Sequence, residues 1–157
     1  MEIQDDENFL DEFSKIEYPV ISTSIAEYIE KVITSAKATE KLKLNVYSNC
    51  IDENEKVIYS NAIKNYYTDK YIYDNRKLSE NKKMAFIFGV IGILVLLLVI
   101  ILEYLGKSVF WMRVFDIVAW VFIWETVDIL VFKCNELRLN QLRCINLIDM
   151  KIEYINI

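Results

Sequence analysis

The chain has no histidine anywhere in its 157 residues. This removes the usual general base behind a serine or cysteine nucleophile and the commonest nitrogen ligand for zinc. Only three glycines and one proline occur, and no glycine-rich phosphate loop can be assembled from them. The three cysteines, Cys50, Cys134 and Cys144, have neither metal-ligand spacing nor an even count, a pattern that fits a reducing compartment rather than a disulfide framework. Pairs of Glu and Asp in the soluble half, such as Asp52 with Glu55, are explained by helix capping. A catalytic reading thus has little to stand on, and nothing calls for a metal or another cofactor. The expectation is a protein that is not an enzyme.

Charge is also missing where it matters most. From Met84 to Leu102 there are nineteen consecutive residues without a single charged side chain. At about 1.5 Å per helical residue such a run crosses a hydrocarbon core of roughly 30 Å. It begins too far along the chain to be a cleaved signal peptide. A second apolar stretch, 109–132, follows a short turn at Gly106, Lys107 and Ser108, and it is less uniform. It holds Arg113, Asp116, Glu125 and Asp128 among Trp111, Trp120 and Trp124. The expected fold class is therefore a membrane α-helical protein, a two-helix transmembrane hairpin with spans at 84–105 and 109–132, carrying a small cytoplasmic α/β domain that is mostly helical.

The expected parts of that domain follow from local patterns. Residues 1–15 carry Glu2, Asp5, Asp6, Glu7, Asp11 and Glu12 with no base among the first twelve, and read as an acidic, solvated tail. Residues 16–83 read as the cytoplasmic α/β domain. Ser24 and Glu27 have capping-box spacing, and Ile25, Tyr28, Ile29, Val32, Ile33 and Ala36 recur with the period of one buried helical face. Leu42, Leu44 and Val46 alternate with polar residues, as a half-buried strand does. Asp52 and Glu55 repeat the capping spacing ahead of a second helix from Val57 to Tyr67. Nothing between Thr68 and Lys83 forces that helix to stop before the membrane. The tyrosines Tyr66, Tyr67, Tyr71 and Tyr73 read as core filling. Residues 133–157 read as a cytoplasmic helix and a terminal strand, and the segment 41–47 is the one good pairing partner for that strand.

Orientation follows from the basic flanks. Arg76, Lys77, Lys82 and Lys83 precede the first span and Lys133, Arg138 and Arg143 follow the second, while the turn offers only Lys107 beside Glu103. By the positive-inside rule both termini lie in the cytoplasm of a multi-pass protein of the bacterial inner membrane. These bases are accounted for by topology and lipid headgroups, so no nucleic acid is expected as a partner.

The polar residues of the second span carry what chemistry there is. Glu125 and Asp128 share a face, and Arg113 stands three residues from Asp116 as its natural local partner. A charged group at a helix centre costs about 2.5 to 3.5 kcal/mol on insertion scales and must be neutral, paired, or facing water or another helix. Glu125 and Asp128 then face the same span of another copy, a water-filled path, or Lys133 and Arg138; the first two imply a homo-oligomer. Trp111, Trp120 and Trp124 read as packing or interface anchors.

The stretch WVFIWETVDILVFKCNELRLNQLR, Trp120 to Arg143, resembles a pattern near the C-terminus of uncharacterised bacterial two-transmembrane-helix proteins: a tryptophan- and acid-rich second span, then a basic helix and a short strand. The resemblance covers part of the chain and implies no known activity. The functional expectation is a non-enzymatic, oligomeric inner-membrane protein whose cytoplasmic domain is a scaffold or sensor for a cytoplasmic protein or small-molecule ligand. The alternative is a membrane-perturbing effector or ion channel of the toxin or anti-phage type that uses the polar face of the second span.

Overall fold

A computed structural model describes residues 1–3, 6–33, 40–106 and 109–155. In chain order the elements are α1 (Thr23–Ile33), β1 (Lys43–Tyr47), α2 (Glu53–Tyr104), α3 (Val109–Asp128), a π-helical turn (Ile129–Lys133), α4 (Cys134–Ile148) and β2 (Lys151–Ile155). The molecule is mostly helical. It divides into two units: Met1–Tyr73 with Leu139–Ile157, and Asp74–Arg138. The helix α2 contributes to both.

In the first unit, β1 and β2 pair in parallel, with Lys43 opposite Lys151 and Val46 opposite Tyr154. Parallel neighbours need a long connection, and here it comprises α2, α3 and α4. Glu153 on β2 holds Lys43 at 2.7 Å and Lys151 at 2.9 Å. These two contacts pull its carboxyl down from 4.5 to about 2, the hydrogen bond from Lys43 first and that from Lys151 second. Behind the strands a core forms from Phe9, Ile21, Ala26, Ile29, Val46, Ala62, Ile63, Tyr67 and Leu147, with Ile152 and Tyr154 packed against it. The Tyr154 hydroxyl donates to the Lys56 carbonyl at 3.1 Å and ties β2 to the first turn of α2.

The acidic tail is not solvated throughout. The Ile3 amide donates to the Tyr47 carbonyl and the Tyr47 amide to the Met1 carbonyl, each at 2.8 Å, so this segment lines the free edge of β1. Ile3 and Phe9 are buried, Phe9 stacks on Tyr59 with ring centres 4.3 Å apart, and the Tyr59 hydroxyl donates to Asp6 at 2.8 Å. The apolar residues between the acids supply enough burial to hold the segment, at about 1.5 to 3 kcal/mol per large side chain. Asp5 lies outside the described residues.

The two helix starts differ from each other. At α2 the Asp52 amide donates to Glu55 Oε2 at 2.7 Å, one arm of a capping box, and the helix begins at Glu53, four residues ahead of the expected Val57. At α1 the expected Ser24 cap is displaced: Ser24 lies inside the helix, and Ser22 accepts the first helical amide, from Ala26 at 3.1 Å. The buried face turns with it. Ala26 and Ile29 are buried, whereas Tyr28 and Val32 are exposed. Ala36 lies outside the described residues. Of the four tyrosines, Tyr67 is fully buried, Tyr66 and Tyr71 pack against the core, and Tyr73 is exposed rather than core.

In the second unit, α2 runs without interruption through the uncharged segment: the chain's one proline lies far upstream at Pro19, and Gly89 and Gly92 are isolated glycines of the kind a helix tolerates. It ends where Gly106 takes φ +63°, a left-handed conformation that glycine adopts without steric cost. The following helix packs back along it. A Cβ built on Gly92 would stand 2.9 Å from Ile123 Cγ1 and 3.4 Å from the Ala119 carbonyl, so the bare glycine sets the approach of α2 and α3. Thr126 donates to the Phe122 carbonyl at 2.9 Å and reaches the Ala85 carbonyl at 3.4 Å. Leu78, Ala85, Ile129, Cys134 and Leu137 form a small core beside this crossing.

Among the described residues one helix, α2, is long and apolar enough to cross a membrane, with mean hydropathy 3.4 over its most apolar stretch. Only 11% of that stretch is buried, which sets it apart from the core helix of a soluble protein. The expected second span does not meet the same measure, because α3 carries Arg113, Asp116, Glu125 and Asp128 within its 20 residues.

Candidate functional site: a lysine held by two carboxylates

Glu125 and Asp128 stand on the last turn of α3, one turn apart on a shared face. Beyond them the backbone widens into the π-helical turn, closed by a hydrogen bond from the Cys134 amide to the Ile129 carbonyl. That widening decides what the carboxylates meet. In an α-helix, with 3.6 residues per turn, residues five apart lie about 140° apart around the axis. In a π turn, whose hydrogen bonds link residues five apart, they come round to the same side. Asp128 and Lys133 are such a pair.

The Lys133 ammonium accordingly sits 3.1 Å from Asp128 Oδ2 and 2.9 Å from Glu125 Oε1. Of the three environments expected for the carboxylates, the structure supplies the local base. The partner is Lys133 alone, and no ion pair to Arg138 occurs among the described residues. Sequence spacing does not reveal this clamp, since a regular helix would carry Lys133 away from both acids. The side chains keep between 37% and 49% of their exposure, so the cluster lies on a surface. Its chemistry is that of a neutralised polar patch: one positive and two negative charges, a net −1.

Arg113 and Asp116 are not brought together. Arg113 is exposed, Asp116 is half-buried, and no ion pair joins them among the described residues. An i,i+3 pair on a helix surface contributes only a few tenths of a kcal/mol, too little to hold an arginine in one rotamer. The three tryptophans are exposed, and Trp120 and Trp124 combine with Ile117 and Val121 into an open apolar face beside Glu125. On α2 a matching set of large side chains, Phe86, Ile93, Leu94 and Ile100 among them, is exposed as well. A contiguous apolar surface of this kind marks a lipid or protein contact.

The basic flank is divided. Arg76, Lys77, Lys82 and Lys83 on α2 and Lys133 and Arg138 at the start of α4 are exposed. Arg143 lies in the first unit, where it is half-buried in the wall of a cavity with Tyr67 and Lys70. Its half-burial goes with the face of α4, on which Cys144 and Leu147 are buried and Leu142 and Ile145 are exposed. Among the described residues no group of three or more acidic or cysteine side chains is placed to hold a metal ion. A scan of protein-family models, a search of curated proteins and a search of solved structures each found no match to this chain.

Proposed function

We propose that this chain is a non-enzymatic protein of the bacterial inner membrane, with α2 and α3 as two spans and both termini in the cytoplasm, assembled from more than one copy. Its first unit would then be the scaffold or sensor that meets a cytoplasmic partner. The observation that carries the proposal is the uncharged run Met84–Leu102 inside an exposed helix, with α3 packed back along it through Gly92. The exposed bases at Arg76, Lys77, Lys82, Lys83, Lys133 and Arg138 all fall on one side of that pair of helices, which supports a cytoplasmic position for their ends.

The reason for several copies rests on Arg113 and Asp116 rather than on the acidic pair. Lys133 neutralises much of the charge of Glu125 and Asp128 locally. Arg113 and Asp116 have no hydrogen-bond or ion-pair partner among the described residues, and a charge in a span is costly unless paired. Reciprocal pairing of Arg113 in one copy with Asp116 in another satisfies both. The same clamp weighs against a conducting pore, because carboxylates already held by a lysine are poor stations for a proton or cation.

The test is ion flux through liposomes that contain the purified protein, compared with the Glu125→Gln plus Asp128→Asn double variant at matched oligomeric state. The expected result is tight vesicles for both proteins, which sediment from detergent as the same multimer. Carboxylate-dependent leakage would overturn the scaffold or sensor reading in favour of a channel or membrane-perturbing effector. A monomer in detergent and in cross-linking would remove the role given to Arg113 and Asp116.

A further inference from the structure

A cavity of about 170 Å³ opens within the first unit, between α1, α2 and α4. A water needs roughly 10 to 15 Å³ of such space, so this cavity is large enough for a small organic molecule. Its walls have two characters. Ile33, Leu147 and the ring of Tyr67 are apolar, while Glu30, Lys70 and Arg143 bring charge.

Four polar side chains of the wall have unequal fates. Lys70 donates to Glu30 at 2.6 Å, and the two form an ion pair at the wall. Tyr67 is fully buried, and its hydroxyl has no hydrogen-bond partner among the described residues. The Nε of Arg143 is likewise buried and unpartnered, and no ion pair offsets its charge among the described residues. An unmade hydrogen bond at a buried donor destabilises a fold, and more so at a charged donor. Two such donors in one cavity wall are an expensive arrangement for a core that lacks a third component. Burial holds the Tyr67 hydroxyl firmly in its neutral form, as does the negative charge of Glu30, so it remains a donor across the whole physiological range.

The geometry points to a binding site for a small phosphorylated organic molecule, its phosphate on Arg143 and the Tyr67 hydroxyl and its apolar body against Ile33, Leu147 and the Tyr67 ring. The guanidinium is a planar fork suited to the oxygens of such a group. With Glu30 engaged by Lys70, the wall presents a net single positive charge, the sign an anion requires. The apolar side excludes a bare inorganic ion as the best occupant, because it would leave that surface in contact with water. This deepens the sensor reading given above and rests on it for biological meaning, but the site is tested without reference to membrane insertion or flux.

The full-length protein in detergent is titrated with phenyl phosphate, a minimal probe combining a planar apolar ring with a phosphate, and with inorganic phosphate and phenol as its separated halves. Saturable calorimetric binding of phenyl phosphate is expected, tighter than either half. Arg143→Gln is expected to weaken it about tenfold or more, and Tyr67→Phe about threefold, as loss of a charged and a neutral hydrogen bond respectively. Circular dichroism establishes that each variant is folded, and Tyr67→Phe, which deletes only a hydroxyl, serves if Arg143→Gln is not. Three outcomes overturn the site: no saturable binding to the unaltered protein, unchanged affinity in a folded variant, or inorganic phosphate bound as tightly as phenyl phosphate. None of the three bears on vesicle flux or on oligomeric state, so the site can fail while the membrane assignment stands.

Discussion

At Gly92 a single hydrogen atom separates two packed helices. The nearest atom to an added Cβ is Ile123 Cγ1, on a β-branched side chain that is stiff at χ1, and the Ala119 carbonyl and the Ile123 amide nitrogen, both at 3.4 Å, are backbone and cannot swing aside. Gly92→Leu is therefore expected to lower the stability of the α2–α3 pair by about 1 to 3 kcal/mol, the usual cost of overpacking. Gly89 makes a suitable control, since a Cβ there meets Thr126 Cγ2 at an ordinary 3.5 Å. Gly89→Ala is expected to be neutral or stabilising by up to about 1 kcal/mol, because alanine loses less entropy than glycine in a helix. Thermal unfolding in one detergent, followed by circular dichroism, checks both. The order Gly92→Leu far below the parent and Gly89→Ala at or above it is the signature of the contact; equal Tm values would refute it. Gly89 and Gly92 are visible in the sequence as the two glycines of the uncharged run. Which one is tight was not legible there, because it depends on the rotation of α3.

Among the elements, β2 is held in a way that responds to acid. Glu153 bridges Lys43 on the neighbouring strand and Lys151 on its own, and its carboxyl titrates near 2 instead of 4.5. A group whose folded pKa is depressed stabilises the fold above its unfolded pKa, and that contribution is lost as pH falls through the folded value. The attachment of β2 is thus expected to weaken between about pH 4.5 and pH 2, with no change from this group above pH 5. Hydrogen exchange of the β1 and β2 amides across that range measures it, and Glu153→Gln should flatten the dependence without altering the register. A dependence that persists in the variant would assign it elsewhere. The strands themselves are legible in the alternation of Leu42, Leu44 and Val46 and of Ile152 and Tyr154. The bridge from Met1–Ile3 to the edge of β1 was hidden, because the acids around it mask two apolar side chains, and α1 turned out to present Ala26 rather than Tyr28 because its cap lies at Ser22.

For the molecule as a whole, the cysteines are natural reporters of sidedness. Cys50 is exposed in the first unit, whereas Cys134 and Cys144 are buried. If both termini are cytoplasmic, a membrane-impermeant maleimide should modify Cys50 in inverted inner-membrane vesicles and leave it untouched in intact spheroplasts. The reverse pattern would invert the proposed topology, and labelling in neither, with labelling in detergent, would place Cys50 in an interface. The uncharged run marks α2 unmistakably in the sequence. The status of α3 is harder to read, since its four charges lower its apolarity and the lysine that offsets two of them sits beyond its end, on a turn whose width no residue pattern announces.

That wide turn has the arithmetic of an insertion. Relative to a regular helix, Ile129–Lys133 accommodates one surplus residue, and each residue of an α-helix advances the phase by about 100°. A chain shortened by one residue within this turn would heal into ordinary helix with Asp128 and Lys133 four positions apart, again one turn from each other, so both the clamp and the phase of α4 would survive. Removal of a residue from the regular part of α3 would instead turn everything beyond it by about 100° and carry Cys134 and Leu137 away from their small core.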